Sequence, residues 1–245
     1  MPEGPVIRLP VQLEKIVRHS PMAGPATAGT VSGIVLMSEL WTAAIDTTNK
    51  WVRTVGATGT GVVASGTSGA LVNRRVYRMG SGALADTSRL RSLPEFFSPT
   101  VVPHTTSIYK RLVIEWEAAI TNLTDHDNTA FLMGASRAAN QAREGDFTFG
   151  FGLSADALIT ITDDNGTEGT TAVTGGPTLT NMNKYRIEVS NGLIAFYVND
   201  VLTNSHTTAN QLVTRPIQLN FAILAEAAGN AGLDIGAVRA YYLDE

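Results

Sequence analysis

Glu115 and Glu117 stand two apart in the run Leu112–Ile120, LVIEWEAAI. Side chains of an extended strand alternate, so both carboxylates share one face and Leu112, Ile114, Trp116, Ala118 and Ile120 take the other. Hydrolysis of a glycosidic bond needs two carboxyl groups with divided roles, one acting at the leaving oxygen and one on water or the sugar carbon. The same spacing also describes two solvated carboxylates on the outer face of a sheet. The next outward position is Ala119, so no third acid continues the row.

Other residue groups offer less. Asp125-His126-Asp127-Asn128 is the densest oxygen-donor loop, followed by Asp163-Asp164-Asn165. A hard cation wants several converging oxygens, and neither loop carries a recognised ligand spacing, so both read as polar turns. His19, His104, His126 and His206 are scattered singly, without the pairing of a zinc site. The absence of cysteine excludes disulfides, thiolate metal sites and a cysteine nucleophile. Gly59-Thr60-Gly61-Val62-Val63-Ala64 nominally fits a dinucleotide fingerprint. The Ser65–Gly69 run that follows cannot open the helix such a site needs, so a glycine-rich strand and turn is expected. Asn122-Leu123-Thr124 and Asn165-Gly166-Thr167 match a glycosylation sequon by chance, given no export signal. No catalytic, cofactor-binding or metal-binding set is therefore assigned, and no cofactor is expected.

Two basic groups remain, Arg74, Arg75 and Arg78, then Arg89 and Arg91. They read as solubilising strand positions or as contacts to an acidic partner surface. Trp41, Trp51, Tyr109 and the Tyr241-Tyr242 pair are the aromatic side chains free for sugar stacking or a partner.

The elements that must position these residues are strands. The chain has 245 residues, with 16% charged and a formal charge of −4, which disfavours a phosphate-binding surface and nucleic acid as a partner. No run is apolar for long enough to span a bilayer as a helix, and the N-terminus lacks the pattern of a signal peptide. From about Ile34 onward, strand-like runs follow one another: Gly61–Ala64, Leu112–Ile120, Thr129–Met133, Phe147–Leu153, Ala157–Thr162, Tyr185–Val189, Leu193–Val198, Pro216–Leu224 and Leu233–Leu243. Their period of two marks half-buried antiparallel strands. Around Asn191-Gly192, a two-residue turn pairs Val189 with Ile194, Ile187 with Phe196 and Tyr185 with Val198 on one apolar face. A second turn at Asn199-Asp200 sets Val198 opposite Val201 and completes a three-stranded meander. A short helix is expected near Ser136–Arg143.

Residues 1–33 differ in texture. Five of the ten prolines lie in the first 25 residues, beside Val6, Ile7, Leu9, Val11, Leu13, Ile16 and Val17. Proline disfavours helix and sheet, so this segment reads as an extended arm, with a short helix over Val11–Val17. Residues 34–245 then form the sandwich domain.

The meander Tyr185–Val189, Asn-Gly turn, Phe196–Asp200 resembles the concanavalin A-like jelly roll of lectins, laminin-G modules and laminarinases. Leu112–Ile120 is similar to that family's early strand, Phe147–Thr162 to its middle hairpin, and Leu233–Leu243 to its closing strand, which often returns to pair with an N-terminal one. The resemblance implies an all-β, antiparallel jelly-roll β-sandwich. Laminarinase-type members carry Glu, Asp and Glu at alternate positions of one strand. Ala119 breaks that pattern here, so the resemblance does not bring the activity with it. By subtraction, the expected role is non-enzymatic: a tailed-bacteriophage virion component made in the host cytoplasm, decorating or cementing a capsid. Its partners would be capsid or tail subunits, and it would form a homo-oligomer such as a trimer. The alternatives are a glycan-binding or receptor-binding tail module and a laminarinase-like hydrolase using Glu115 and Glu117.

Overall fold

A computed structural model describes residues 33–41, 44–57, 59–65, 75–81, 87–95, 111–123, 129–137, 148–154, 157–163, 168–190, 193–207, 217–225 and 231–243. Fifteen strands run through them: β1 (Gly33–Glu39), β2 (Trp51–Val55), β3 (Thr60–Ser65), β4 (Arg75–Ser81), β5 (Thr87–Ser92), β6 (Arg111–Leu123), β7 (Thr129–Ser136), β8 (Thr148–Ser154), β9 (Ala157–Asp163), β10 (Glu168–Ala172), β11 (Asn183–Ser190), β12 (Leu193–Val198), β13 (Val201–Thr207), β14 (Gln218–Ala225) and β15 (Ala231–Leu243). They form two antiparallel sheets. The larger runs β13-β12-β11-β6-β15-β4-β3, with β1 also paired to β15; the smaller runs β10-β9-β8-β7-β14-β5-β2.

Alternation sorts each strand between core and outer face. On β11 every second residue is buried, so Tyr185, Ile187 and Val189 face inward. The expected register holds residue for residue across β11 and β12, and Val198 lies opposite Val201. Asn199 and Asp200 take left-handed backbone at φ 50° and 66°, which asparagine and aspartate tolerate and a two-residue hairpin turn requires. Asn199 also ties the turn down: its Oδ1 accepts from Lys184 N at 3.0 Å and its Nδ2 donates to Asn183 Oδ1 at 3.0 Å.

Trp116 of β6 is the hub of the core. It stacks on its cross-strand neighbour Tyr185 (5.7 Å, 14°) and meets Phe151 and Phe221 of the smaller sheet edge-on at 6.0 and 5.6 Å. Burying such a ring contributes on the order of 2–3 kcal/mol, and edge-to-face geometry adds to it. This ring cluster locks β6 and β11 against the other layer, which fixes where their outward side chains stand.

The third strand of the meander departs from expectation. Val201 is 65% exposed, and the inward positions of β13 are polar, with Asn204 and His206 reaching the other sheet. β1, β2, β4, β5 and β10 were not among the strand-like runs of the sequence. The expected arm (1–33) apart from Gly33, which opens β1, the helix over Val11–Val17, the Asn191-Gly192 turn and most of the Ser136–Arg143 helix lie outside the described residues. Ser136 itself ends β7.

Candidate functional site on the outer face of the larger sheet

Glu115 and Glu117 do project from one face of β6, but they are not solvated as a plain outer face would leave them. They are 5% and 9% exposed. Strand order explains what surrounds them. On the β11 side, Arg186 lies directly opposite Glu115, and Lys184 opposite Glu117. On the β15 side, Arg239 lies opposite Glu115. The face is therefore a mosaic of acids and bases set at strand spacing.

Most of the cations are already committed. Lys184 Nζ donates to Asp200 Oδ1 at 2.7 Å. Arg186 Nε lies 3.3 Å from Glu188 Oε1, its Nη1 lies 3.8 Å from Asp200 Oδ1, and its guanidinium stands 4.1 Å over the Tyr197 ring. Arg111 Nη1 donates to Glu188 Oε2 at 3.1 Å, and Tyr197 Oη donates to the same oxygen at 3.4 Å. Glu115 is left with attraction at longer range from Lys184, Arg239 and Arg186. Burial outweighs all three and raises its carboxyl above the ordinary 4.5. Tyr241, on the outer face of β15, is raised as well, first by burial and then by Glu115.

The backbone makes room for Glu117. Between Ile235 and Val238, β15 carries an extra residue relative to β6, a bulge that breaks the pairing locally. A Cβ at Gly236 would come within 2.9 Å of Glu117 Oε2 and 3.0 Å of Glu117 Cβ. From below, the indole Nε1 of Trp41 donates to Gly236 O. Trp41 holds left-handed backbone at φ 53°, while Glu39 Oε1 accepts from both Leu40 N and Trp41 N at 3.1 Å.

Ala119 sits opposite Asp234 of β15. The acid missing from β6 thus has a neighbour on the next strand. Asp234 is closed off: fully buried, it accepts from Arg78 Nε and Nη2, both at 2.7 Å. Its partner strand could not be read from sequence.

The remaining expected residues disperse. Trp41 and Trp51 are core, packed on each other and, through Trp41, on Tyr77 at 5.3–5.4 Å. Neither is free to stack on a sugar. Tyr241 is half-buried beside Glu115 and Tyr242 packs against the core, while Tyr109 lies outside the described residues. Arg78 pairs with Asp234, Arg75 is exposed, and Arg89 and Arg91 are half-buried on the smaller sheet rather than merely solubilising. His206 faces the core, and Asp163 is buried at the end of β9. The loop Asp125–Asn128, Asp164, Asn165, His19, His104, His126 and Arg74 lie outside the described residues. Among the described residues, no three His, Asp or Glu converge as metal ligands. Tyr197 was not anticipated as part of a site, although its alternation with core Phe196 and Val198 places it outward.

Sheet order, strand register and the two-layer core define a concanavalin A-like jelly-roll sandwich. The solved structures with this fold include an endo-1,3-β-glucanase (laminarinase) catalytic domain from Thermotoga petrophila, at TM-score 0.56 and 11% identity over 86% of this chain and 98% of that one. A GH16 protein of Bacteroides ovatus, from its mixed-linkage glucan PUL, aligns at TM-score 0.57 and 9% identity over 84% and 99%. The binding domain of botulinum neurotoxin DC, solved with rat synaptotagmin II, aligns at TM-score 0.50 and 12% identity over 86% of this chain and 48% of that one. No family model matches the sequence, and neither does any curated protein. These likenesses correct the expectation of a non-enzymatic phage virion component: the two solved domains covered here over nearly their whole length are a laminarinase catalytic domain and a GH16 protein, neither of them a capsid protein.

Proposed function

We propose that the chain acts on carbohydrate as a glycoside hydrolase of β-glucan type, with the glycan lying over β11, β6 and β15. The observation that carries the reading is the placement of two buried carboxyl groups, Glu115 and Glu117, on one face, with cationic residues opposite each. Glu115, whose carboxyl is raised by burial, releases its proton less readily than a free carboxyl and is the one placed to give it to the leaving oxygen. Glu117 then serves as the second carboxylate, on water or on the sugar carbon. Tyr241 lies beside Glu115, and Tyr197 stands two strands away against Arg186; both are candidate ring contacts for a sugar. The glucan-directed relatives of the same fold support this substrate class.

A second reading, glycan binding without cleavage, is favoured by one observation. Ala119 leaves the row of acids short, and Arg78 occupies the nearest replacement, Asp234. Incubation with mixed-linkage and 1,3-linked β-glucan, scored by release of reducing ends, separates the two. Hydrolysis predicts release by the wild type and a fall of about 100-fold or more in E115Q and E117Q. Turnover that survives E117Q refutes the assignment of the pair, and binding without release selects the second reading.

A further inference from the structure

We infer that Glu39 and Trp41 are positioning residues for Glu117: they form an elbow at the end of β1 that fixes the Gly236 bulge, and the bulge fixes the carboxylate above it. Their effect on catalysis rests on the hydrolase reading of Glu117.

The bulge falls between the registers of three strands. β15 pairs with β4 as far as Ile235, opposite Tyr77, and with β1 from Val238 onward, opposite Glu39. On β6, Ala118 lies opposite Ile235 and Trp116 opposite Val238, so Glu117 alone faces the two residues Gly236 and Ala237. A bulge disrupts the ladder locally, and its backbone groups need bonds from elsewhere. One comes from the elbow. β1 ends at Glu39, and two residues later Trp41 Nε1 donates to Gly236 O.

The elbow is itself held from both sides. Trp41 is 1% exposed, with its ring packed against Trp51 at 5.4 Å and Tyr77 at 5.3 Å, which leaves the indole little freedom to turn to another acceptor. To bring the ring there, Trp41 takes a φ of 53°. Left-handed backbone is rare for so bulky a residue and persists only where the surroundings enforce it. Glu39 enforces it: Oε1 accepts from Leu40 N and Trp41 N, both at 3.1 Å, while Oε2 accepts from Lys50 Nζ at 3.3 Å and Trp51 Nε1 at 3.4 Å. A continuous run of contacts thus leads from Glu39 through Trp41 and Gly236 to the side chain of Glu117.

The test uses the full chain in two variants. W41F keeps an aromatic ring in the cluster but deletes the Nε1–H donor, and E39A frees the two amides of the elbow. The first readout does not depend on activity: the carboxyl-carbon resonances of Glu117 and Glu188, and the amide of Ala237, whose nitrogen follows the Gly236 carbonyl. Both Ala237 and Glu117 are expected to move in each variant, while Glu188, across β6 on β11, keeps its wild-type position. The second readout is hydrolysis of mixed-linkage β-glucan, where kcat in W41F should fall on the order of 10- to 100-fold, as misplacement of a reacting group does, with KM little changed. An unmoved Glu117 resonance overturns the assignment, even where turnover falls with the folded fraction, because that loss is one of stability alone. Should W41F not fold, E39A decides by the same resonances. A wild type that releases no reducing ends defeats the hydrolase reading, and the resonances still decide whether the elbow places Glu117.

Discussion

Gly236 stands where any side chain would meet Glu117: a Cβ there would lie 2.9 Å from the carboxylate oxygen Oε2 and 3.0 Å from Glu117 Cβ. Its backbone is not left-handed, so glycine is required for space and not for φ. The carboxylate end could swing aside, but Cβ cannot. We expect G236A to cost about 1–2 kcal/mol in urea unfolding, the usual range for an overpacked site. It should also lower hydrolytic turnover more than it changes KM, because it moves Glu117. A variant that is fully stable and fully active would show that Glu117 needs no such space.

Removing the charge at Glu115 should separate stability from activity. Its carboxyl is raised in the folded chain, so ionisation costs stability as pH rises through that folded value, and the cost is absent at lower pH. At pH 7 the neutral isostere E115Q is therefore expected to melt at or above the wild type while losing turnover. The alkaline limb of the wild-type rate profile should lie above 4.5, where Glu115 gives up its proton. A destabilised E115Q would mean that attraction from Lys184, Arg239 and Arg186 outweighs burial.

Asp234 and Arg78 make a structural pair, with two bonds of 2.7 Å to a carboxylate that solvent does not reach. D234A removes the carboxylate that accepts both Arg78 bonds and should cost on the order of 3 kcal/mol. Double replacement with apolar residues of similar volume should recover much of that loss. Equal instability in the single and double variants would contradict this.

His206 bridges the sheets, with Nε2 2.9 Å from Thr160 Oγ1 and Nδ1 2.8 Å from Thr162 Oγ1. Thr160 Oγ1 donates to Thr171 O at 3.2 Å, so Nε2 carries the ring proton and Nδ1 accepts from Thr162. Burial lowers the imidazole below its ordinary 6.5. In the window between the folded and unfolded values, the unfolded chain binds the extra proton. The stabilising contribution is therefore full above 6.5 and is lost as pH falls through the folded value. The urea midpoint of the wild type should drop between pH 7.5 and 5 by more than that of H206Q. Parallel profiles would remove His206 from the account.

Much of this was legible in the sequence, and the reasons are physical. Alternation in Tyr185–Val198 fixed a register that a one-residue slip would have destroyed. β5 and β10 carried no such signal: β5 holds one large apolar residue, Leu90, among serines and arginines, and β10 reads EGTTA at a sheet edge. The shared face of Glu115 and Glu117 followed from spacing alone. Their burial, the Gly236 bulge and the position of Asp234 beside Ala119 did not, because they depend on β15 lying next to β6, a pairing more than 100 residues apart in sequence. Trp41 and Trp51 looked available for sugar because nothing local marks them as core; only packing with Tyr77 does.

The most direct test is a crystal structure of E117Q soaked with a mixed-linkage β-glucan oligosaccharide. The account predicts sugar across β11, β6 and β15, with a glycosidic oxygen within about 3 Å of a Glu115 carboxyl oxygen and a ring against Tyr197 or Tyr241. Sugar seated instead on the outer face of the smaller sheet, over β14 and β7, would contradict it.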